Sequence, residues 1–308
     1  MALRLSDICD QEDILAPGHR ACLGCAEPII VREMLHAIDK PVVVASPTGC
    51  LEIITSPYPF TSWRVPWIHV AFENVASVLS GVEAAYHVLS KKGKIEKRDI
   101  QLIAFAGDGA TYDIGLQFIS GALERGHRFI YVCLNNEAYM NTGIQRSSAT
   151  PFGAWTTTTP VGQVIPGKIQ HRKDLTAIIA AHNIPYVAQA APHAWRDLMA
   201  KARKAAAVDG PSFLNVLSPC PRGWRYEPSE TIAISRLATE TCMWPLLEIE
   251  NGDCRLTATP AEKRPVTDWL KTQGRFAHLL RPENSEVVAE LQAWVDREWH
   301  KLLKRCAS

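Results

Sequence analysis

Residues Phe105 to Gly143, FAGDGATYDIGLQFISGALERGHRFIYVCLNNEAYMNTG, constrain this chain more than any other stretch. An apolar run, Ile100 to Ala106, stops at Gly107-Asp108-Gly109. An amphipathic stretch follows to Arg125, and a second apolar run, Phe129 to Leu134, ends at Asn135-Asn136. The pattern predicts strand, turn, helix, strand and an acceptor-rich loop. A helical crossover makes the strands parallel and brings both C-terminal ends to one edge of the sheet, where open α/β folds bind ligands. Glycines on both sides of Asp108 let the backbone approach a phosphate, and the carboxylate offers a hard oxygen ligand. Mg²⁺ keeps octahedral oxygen coordination, with one or two protein ligands plus substrate phosphates. Asp108, the amide oxygen of Asn136 and a diphosphate nearly complete such a shell.

The flanking sequence extends the alternation of strands and helices. Pro17-Gly18 precedes Cys22-Leu23-Gly24-Cys25, and Glu27-Pro28 opens a helix through about Ile38, with Pro28 suited to its first turn. Pro41 to Ala45 reads as a buried strand leading into the loop Pro47-Thr48-Gly49-Cys50. Ile68 to Ala71 reads as a short strand and Glu73 to Leu89 as a helix. Tyr139 to Lys173 is long and rich in Thr, Gly, Pro and Ser, and its Phe152, Trp155 and Val164 favour an ordered, functional loop. Asp174 to His182 reads as helix, Tyr186 to Gln189 as strand, Ala194 to Ala207 as helix and Phe213 to Leu217 as strand. The fold class is α/β, a doubly wound and mostly parallel sheet, occupying residues 1–228. Residues 229–308 form a C-terminal extension for subunit contact. Asn251-Gly252 signals a hairpin within Leu246 to Leu256, and Ser285 to Leu303 reads as an amphipathic helix capped by Ser285.

Composition narrows the function. The 33 basic and 32 acidic residues nearly balance, and the basic ones are dispersed, so nothing favours nucleic acid or an anionic membrane. No apolar run approaches the roughly 18 residues that span a bilayer, and MALRLSDICDQEDILAPGHR has no apolar signal core, so a cytoplasmic location is expected. Nine cysteines, an odd number in a chain of 308 residues with ample core, argue against a secreted disulfide framework.

Four of those cysteines fall in Gly- and Pro-flanked segments at predicted strand edges: Cys22 and Cys25, Cys50, and Cys220 in Ser218-Pro219-Cys220-Pro221. Converging thiolates suit Zn²⁺ or an iron–sulfur cluster. A redox dithiol is the rival for Cys22 and Cys25, although such a pair normally follows a strand and this one follows a Pro-Gly loop. Cys133 reads as a core residue, whereas Cys9, Cys242, Cys254 and Cys306 show no pattern. The ten histidines lack paired metal spacing, with His69 the best exception, and the nine scattered tryptophans read as packing residues. Arg222 and Arg225 take no assignment.

Gly-Asp-Gly alone is a common turn, but with Asn135-Asn136 one strand later the spacing resembles the thiamine diphosphate motif. The combination ACLGCAEPIIVR, PTGCLE, VPWIHVAFENVASV, GDGATYDIGLQ, NNEAYMNTGIQRS and LSPCPRGWR resembles the β subunit of 2-oxoacid:ferredoxin oxidoreductases, most like the pyruvate branch, over nearly the whole chain. The resemblance implies a thiamine diphosphate-binding fold in which Cys22, Cys25, Cys50 and Cys220 hold a [4Fe–4S] cluster. It implies Mg²⁺ on Asp108, Asn136 and the Ala138 carbonyl, with Gly107 and Gly109 beside the diphosphate. Asn141 would face the cofactor's reactive carbon, and Thr48, Gly49 and Glu52 would lie near the cofactor. This chain departs from many relatives at Leu23 and Ala26, where Pro and Gly are frequent.

The implied activity is oxidative decarboxylation of pyruvate or a related 2-oxoacid, with coenzyme A as acyl acceptor and ferredoxin as electron acceptor, and the synthase direction is equally compatible. An α subunit would bring the pyrimidine-binding domain and the activating glutamate. Further γ- and δ-type, ferredoxin-like subunits, or fused equivalents, would relay electrons. Rival readings are an oxalate or other 2-oxoacid oxidoreductase of the same family, a cluster-free thiamine enzyme, and a non-catalytic iron–sulfur electron-transfer subunit.

Overall fold

Successive residues of the predicted strands face opposite sides of one sheet. Val42, Val44, Ile130 and Val132 pack on one side, and Ala45, Ala104, Tyr131 and Cys133 on the other. The computed structural model describes residues 6–57, 59–162 and 164–307, so the first five residues of the polar leader lie outside the described residues. Eight strands form the sheet: β1 (Val42–Pro47), β2 (Trp67–Val70), β3 (Gln101–Gly107), β4 (Ile130–Asn135), β5 (Tyr186–Ala190), β6 (Ser212–Leu217), β7 (Leu246–Glu250) and β8 (Asp253–Ala258). Their order is β2-β1-β3-β4-β6-β5-β7-β8. β1 to β6 are mutually parallel, while β7 pairs antiparallel with both β5 and β8.

The helices in chain order are α1 (Ser6–Cys9), α2 (Ala26–Ala37), α3 (Cys50–Thr55), α4 (Val75–Lys91), α5 (Leu116–Glu124), α6 (Leu175–Ala180), α7 (Trp195–Ala207), α8 (Pro221–Trp224), α9 (Thr231–Glu240), α10 (Val266–Leu270) and α11 (Ser285–Arg305). Ile30 and Met34 of α2 and Leu198 and Ala202 of α7 cover one face of the sheet. Leu79 of α4, Ile119 of α5 and Ile179 of α6 cover the other, which confirms the doubly wound class. Each large apolar side chain among them stabilises the fold by about 1.5–3 kcal/mol on burial. Asp174 caps α6, accepting from the Ala177 amide at 3.0 Å. Cys133 is fully buried in the core, as read from its apolar strand.

The structure corrects several expectations. The loop after β1 turns at Gly49 directly into α3, with Cys50 as its first residue, because Leu51 and Thr55 bury on the inner side. Gly-Asp-Gly is not a free turn: Asp108 is already helical, and a π-helical segment over Gly109–Ile114 precedes α5. The extension joins the main sheet through β7, and its turn at Asn251-Gly252 has φ of 52° and 93°, the paired positive values of a tight hairpin. α9 was not anticipated, since its buried stripe of Ile234, Ser235, Ala238 and Thr239 is small and partly polar. Ser285 is the first residue of α11 rather than its cap; Asn284 holds the cap position and donates to the His278 carbonyl. Val164 is 91% exposed, so it does not help to order the long loop.

The extension encloses a third apolar cluster with Trp224, Trp244, Trp269 and Phe276 at its centre, as expected of packing tryptophans. Cys254 on β8 and Cys306 after α11 form a disulfide, Cα–Cα 4.6 Å, tying the end of the chain to the edge strand. Among the described residues no helix is long and apolar enough to cross a membrane.

Candidate functional site

β1 lies between β2 and β3, so the connections diverge at its C-terminal end and a crevice opens there. The residues following β1, β3 and β4 line a cavity of about 150 Å³ in that crevice. Its polar wall comes from Thr48, Asp108, Asn136 and Asn141, and its backbone wall from Gly49, Gly107, Gly109 and Ala138. Leu51, Phe72, Phe105 and Leu134 supply an apolar side. Gly109 has a steric reason: a Cβ there would stand 2.4 Å from the Tyr139 ring.

Asp108 is buried, and burial pushes its carboxyl up to about 8. Oδ2 accepts from Ser147 Oγ at 2.5 Å, but Oδ1 has no partner among the described residues although it is enclosed. A bare buried carboxylate oxygen costs free energy unless a cation or donor meets it. Asn136 directs Nδ2 to Glu27 Oε1 at 3.2 Å, and its carbonyl accepts from Trp224 Nε1 at 2.8 Å. Its Oδ1 meets the Ala138 amide at a long 3.4 Å. Glu27 is also buried, raised to about 7 by burial, and its Oε2 is unpartnered among the described residues.

Between Asn136 and Ala138, Glu137 has φ 67°, a left-handed conformation that costs a residue with a side chain about 1–3 kcal/mol. Its neighbours over-determine it. The Glu137 amide donates to Asn135 Oδ1 at 3.1 Å, and its carbonyl accepts from Thr150 Oγ1 at 2.6 Å. Its carboxylate receives Arg275 at 2.6 Å and Arg172 at 3.3 Å. With this left-handed step between them, Asn136 and Ala138 both line the cavity.

Cys22, Cys25, Cys50 and Cys220 line a second cavity of about 330 Å³. The Cys22-Cys25 turn is closed by the Cys25 amide on the Cys22 carbonyl at 3.0 Å. Gly24, at φ 72°, packs so closely that a Cβ would stand 2.3 Å from the Pro228 carbonyl. Cys25 holds the cap position of α2, and Cys220 caps α8, accepting from the Gly223 amide at 3.4 Å. Burial raises Cys220 to about 11 and Cys25 and Cys50 further, and the Glu27 charge adds to each. Such thiols ionise only against a bound cation. Among the described residues no three His, Cys, Asp or Glu side chains are grouped closely enough, as they stand, to hold a metal ion.

Glu52 does not line the cofactor-sized cavity. It is buried in α3, where it accepts from Ser56 Oγ at 2.7 Å and lies 3.7 Å from His69 Nδ1. His69 Nε2 in turn meets Thr48 Oγ1 at 3.0 Å, so the histidine singled out in the sequence connects Glu52 to the cavity wall. Arg222 lines the cysteine cavity, whereas Arg225 stacks on Trp155 at 3.7 Å. Sequence reasoning missed Glu27 and Glu137. The signal for Glu27 was present, two residues after Cys25, but it read as an ordinary first-turn acid.

Residues 47–216 match the family model described as thiamine pyrophosphate enzyme, C-terminal TPP binding domain. Fold and site thus define a thiamine diphosphate-binding α/β protein. Pyruvate synthase subunit PorB of Methanocaldococcus jannaschii is 51% identical over 289 residues, 94% of this chain and 96% of its own. The PorB subunit of Thermotoga maritima is 52% identical over 96% of this chain and 93% of its own. Ketoisovalerate oxidoreductase subunit VorB of Pyrococcus abyssi is 43% identical over 95% of this chain and 93% of its own. The chain belongs to this family, the β subunits of the 2-oxoacid:ferredoxin oxidoreductases, in its pyruvate synthase branch. The fold is shared with a 2-oxoglutarate:ferredoxin oxidoreductase from Magnetococcus marinus, solved with 2-oxoglutarate, coenzyme A and succinyl-CoA bound. That likeness has a TM-score of 0.55 at 17% identity, covering 74% of this chain and 82% of the other.

Proposed function

We propose that this chain is the catalytic, cluster-bearing subunit of an oxidoreductase that converts pyruvate and coenzyme A to acetyl-CoA and CO₂, passing electrons to ferredoxin, in either direction. The observation that carries this is the common wall between the two cavities: Glu27, Cys50, Asn136, Met140 and Asn141 line both. A redox group in the cysteine cavity therefore adjoins the cofactor cavity.

The residues fit the groups they are expected to hold. Asp108 Oδ1, the Asn136 amide oxygen and the Ala138 carbonyl would hold Mg²⁺, and Oδ1 is the unpartnered oxygen that such an ion would satisfy. Cys22, Cys25, Cys50 and Cys220 would hold a [4Fe–4S] cluster. When bound, thiamine diphosphate supplies a nucleophilic carbon and electron sink, and the cluster a one-electron acceptor. Ser147 fixes the rotamer of Asp108 by its hydrogen bond to Oδ2. Gly107, where a Cβ would meet nothing within 4 Å, leaves room for the diphosphate, Gly109 makes way for the Tyr139 ring, and Asn141 would present an amide where charge develops. Thr48 and Gly49 form the opposite lip, with Glu52 supporting Thr48 through His69. Phe72, Phe105 and Leu134 exclude water, which strengthens each polar contact within.

An α-type subunit would add the pyrimidine-binding domain and its glutamate, and ferredoxin-like γ and δ subunits, or fused equivalents, the onward relay. The exposed side of the 229–308 extension would contribute to subunit contact in the cytoplasm. The VorB similarity favours one further reading, a branched 2-oxoacid as substrate.

The complex should be purified anaerobically, assayed for iron, sulfide, zinc and thiamine, and offered pyruvate, 2-ketoisovalerate, 2-oxoglutarate and oxalate with coenzyme A and an electron acceptor. Four iron and four sulfide per chain beyond those of the partner subunits, with pyruvate turned over fastest, is the expected outcome. Zinc without sulfide, or no thiamine, overturns the reading.

A further inference from the structure

Among the described residues, the left-handed Glu137 sits between two of the proposed metal ligands, and both of its carboxylate oxygens are engaged by arginines from outside the βαβ unit that contains it. Arg275 comes from the extension, more than a hundred residues along the chain, and is 2% exposed. It lies 3.9 Å above the Trp224 ring, while its Nε donates to Gln273 Oε1 at 2.9 Å. Trp224 itself donates to the Asn136 carbonyl, so one stacked pair contacts the turn twice. Arg172 approaches from the long loop, clamped between Trp244 and Trp294 at 5.1 and 5.8 Å and bonded to the Met243 carbonyl. The loop returns to the same place through Thr150, which holds the Glu137 carbonyl, and through Ser147, which holds Asp108.

We propose that Arg275, with Arg172 as the second arm, is a positioning residue for the metal: its ion pair with Glu137 holds the left-handed turn that presents Asn136 and Ala138 to the diphosphate-bound cation. The proposal rests on the Mg²⁺ reading above and adds to it a role for the extension, which completes the cofactor site from within the same chain. A buried carboxylate that loses one partner must find another or move, and moving relaxes φ toward the ordinary range. In a relaxed turn the two ligands no longer share a wall, so metal affinity falls before the fold does. Lysine keeps the charge but lacks the planar fork that stacks on Trp224 while bonding Gln273 and Glu137.

The test uses the assembled complex stripped of thiamine diphosphate and Mg²⁺, with Mn²⁺ as probe. Mn²⁺ accepts the same oxygen shell and reports its coordination by electron paramagnetic resonance. Mn²⁺ is titrated in saturating thiamine diphosphate for the wild type and for Arg275→Met, Arg275→Lys and Glu137→Gln. Thermal melting and the visible absorption of the cysteine site are followed in parallel. Arg275→Met should weaken Mn²⁺ binding at least tenfold and broaden its signal, Glu137→Gln should do the same, and Arg275→Lys should fall between, with the visible absorption retained in all. If Arg275→Met does not assemble, the lysine and glutamine variants carry the comparison. Wild-type Mn²⁺ affinity in the folded variants, even with a lowered melting temperature, overturns the positioning role alone. A wild-type complex that takes up no Mn²⁺ with thiamine diphosphate overturns the metal site and this proposal together.

Discussion

Asp108 stands at the end of β3 with one oxygen on Ser147 and the other bare among the described residues. In the apo protein that bare oxygen is a liability, so replacing the carboxyl by an amide should not weaken the fold, while it should remove the proposed anchor of the metal. Asp108→Asn is expected to lower thiamine diphosphate retention more than a hundredfold, corresponding to about 2.7 kcal/mol or more, and to leave the denaturation midpoint of the apo chain unchanged or higher. Equilibrium dialysis and urea titration measure the two effects, and full cofactor retention would refute the assignment. Asp108 and Asn136 were legible in the sequence because each ends an apolar run and so has to sit on the sheet's edge. Glu27 and Glu137 were not. A buried carboxylate reads like any surface acid until its partners, Asn136 for one and Arg172 and Arg275 for the other, arrive from distant parts of the chain.

The parallel strands were readable to within about two residues because β-branched and apolar runs bounded by Gly, Pro and Asn have few alternatives. The π-helical segment was not, since nothing in the sequence Gly109 to Ile114 distinguishes the i→i+5 hydrogen bonding of a π-helix from the i→i+4 pattern of an α-helix. Gly115 marks the junction with α5: a Cβ there would meet the Ala110 carbonyl at 2.0 Å and the Glu73 carbonyl at 2.8 Å, both backbone atoms that cannot rotate away. Gly81, exposed in the middle of α4, has nothing within 4 Å. The two glycines should therefore respond oppositely. Gly115→Ala should destabilise by about 2–3 kcal/mol through overpacking, and Gly81→Ala should stabilise by about 0.5–1 kcal/mol through helix propensity. Chemical denaturation of the paired variants checks this, and equal shifts would show that the junction is not tightly packed.

Thiamine is activated when a carboxyl group hydrogen-bonds its aminopyrimidine ring, and that requires a second binding surface facing the first. The described residues of this chain build one doubly wound domain. The segment from Thr231 onward closes that domain, with β7 and β8 extending the sheet and α9 to α11 enclosing the tryptophan cluster. The chain alone, reconstituted anaerobically with iron, sulfide, Mg²⁺ and thiamine diphosphate, should show no pyruvate- and coenzyme A-dependent viologen reduction. Activity should appear on adding the partner that carries the pyrimidine domain, and sustained turnover without it would refute the divided site. The partition between the two cavities has a consequence of its own. Glu27, Cys50, Asn136, Met140 and Asn141 face both sides, so the wall is one side chain thick and contains a carboxylate and two amides rather than only hydrocarbon. Across so thin a wall the separation is short, so a charge placed on one side is felt on the other, attenuated by whatever the polar side chains between them screen. Loading the cofactor side should therefore tune how readily a redox group held by the four cysteines would accept an electron.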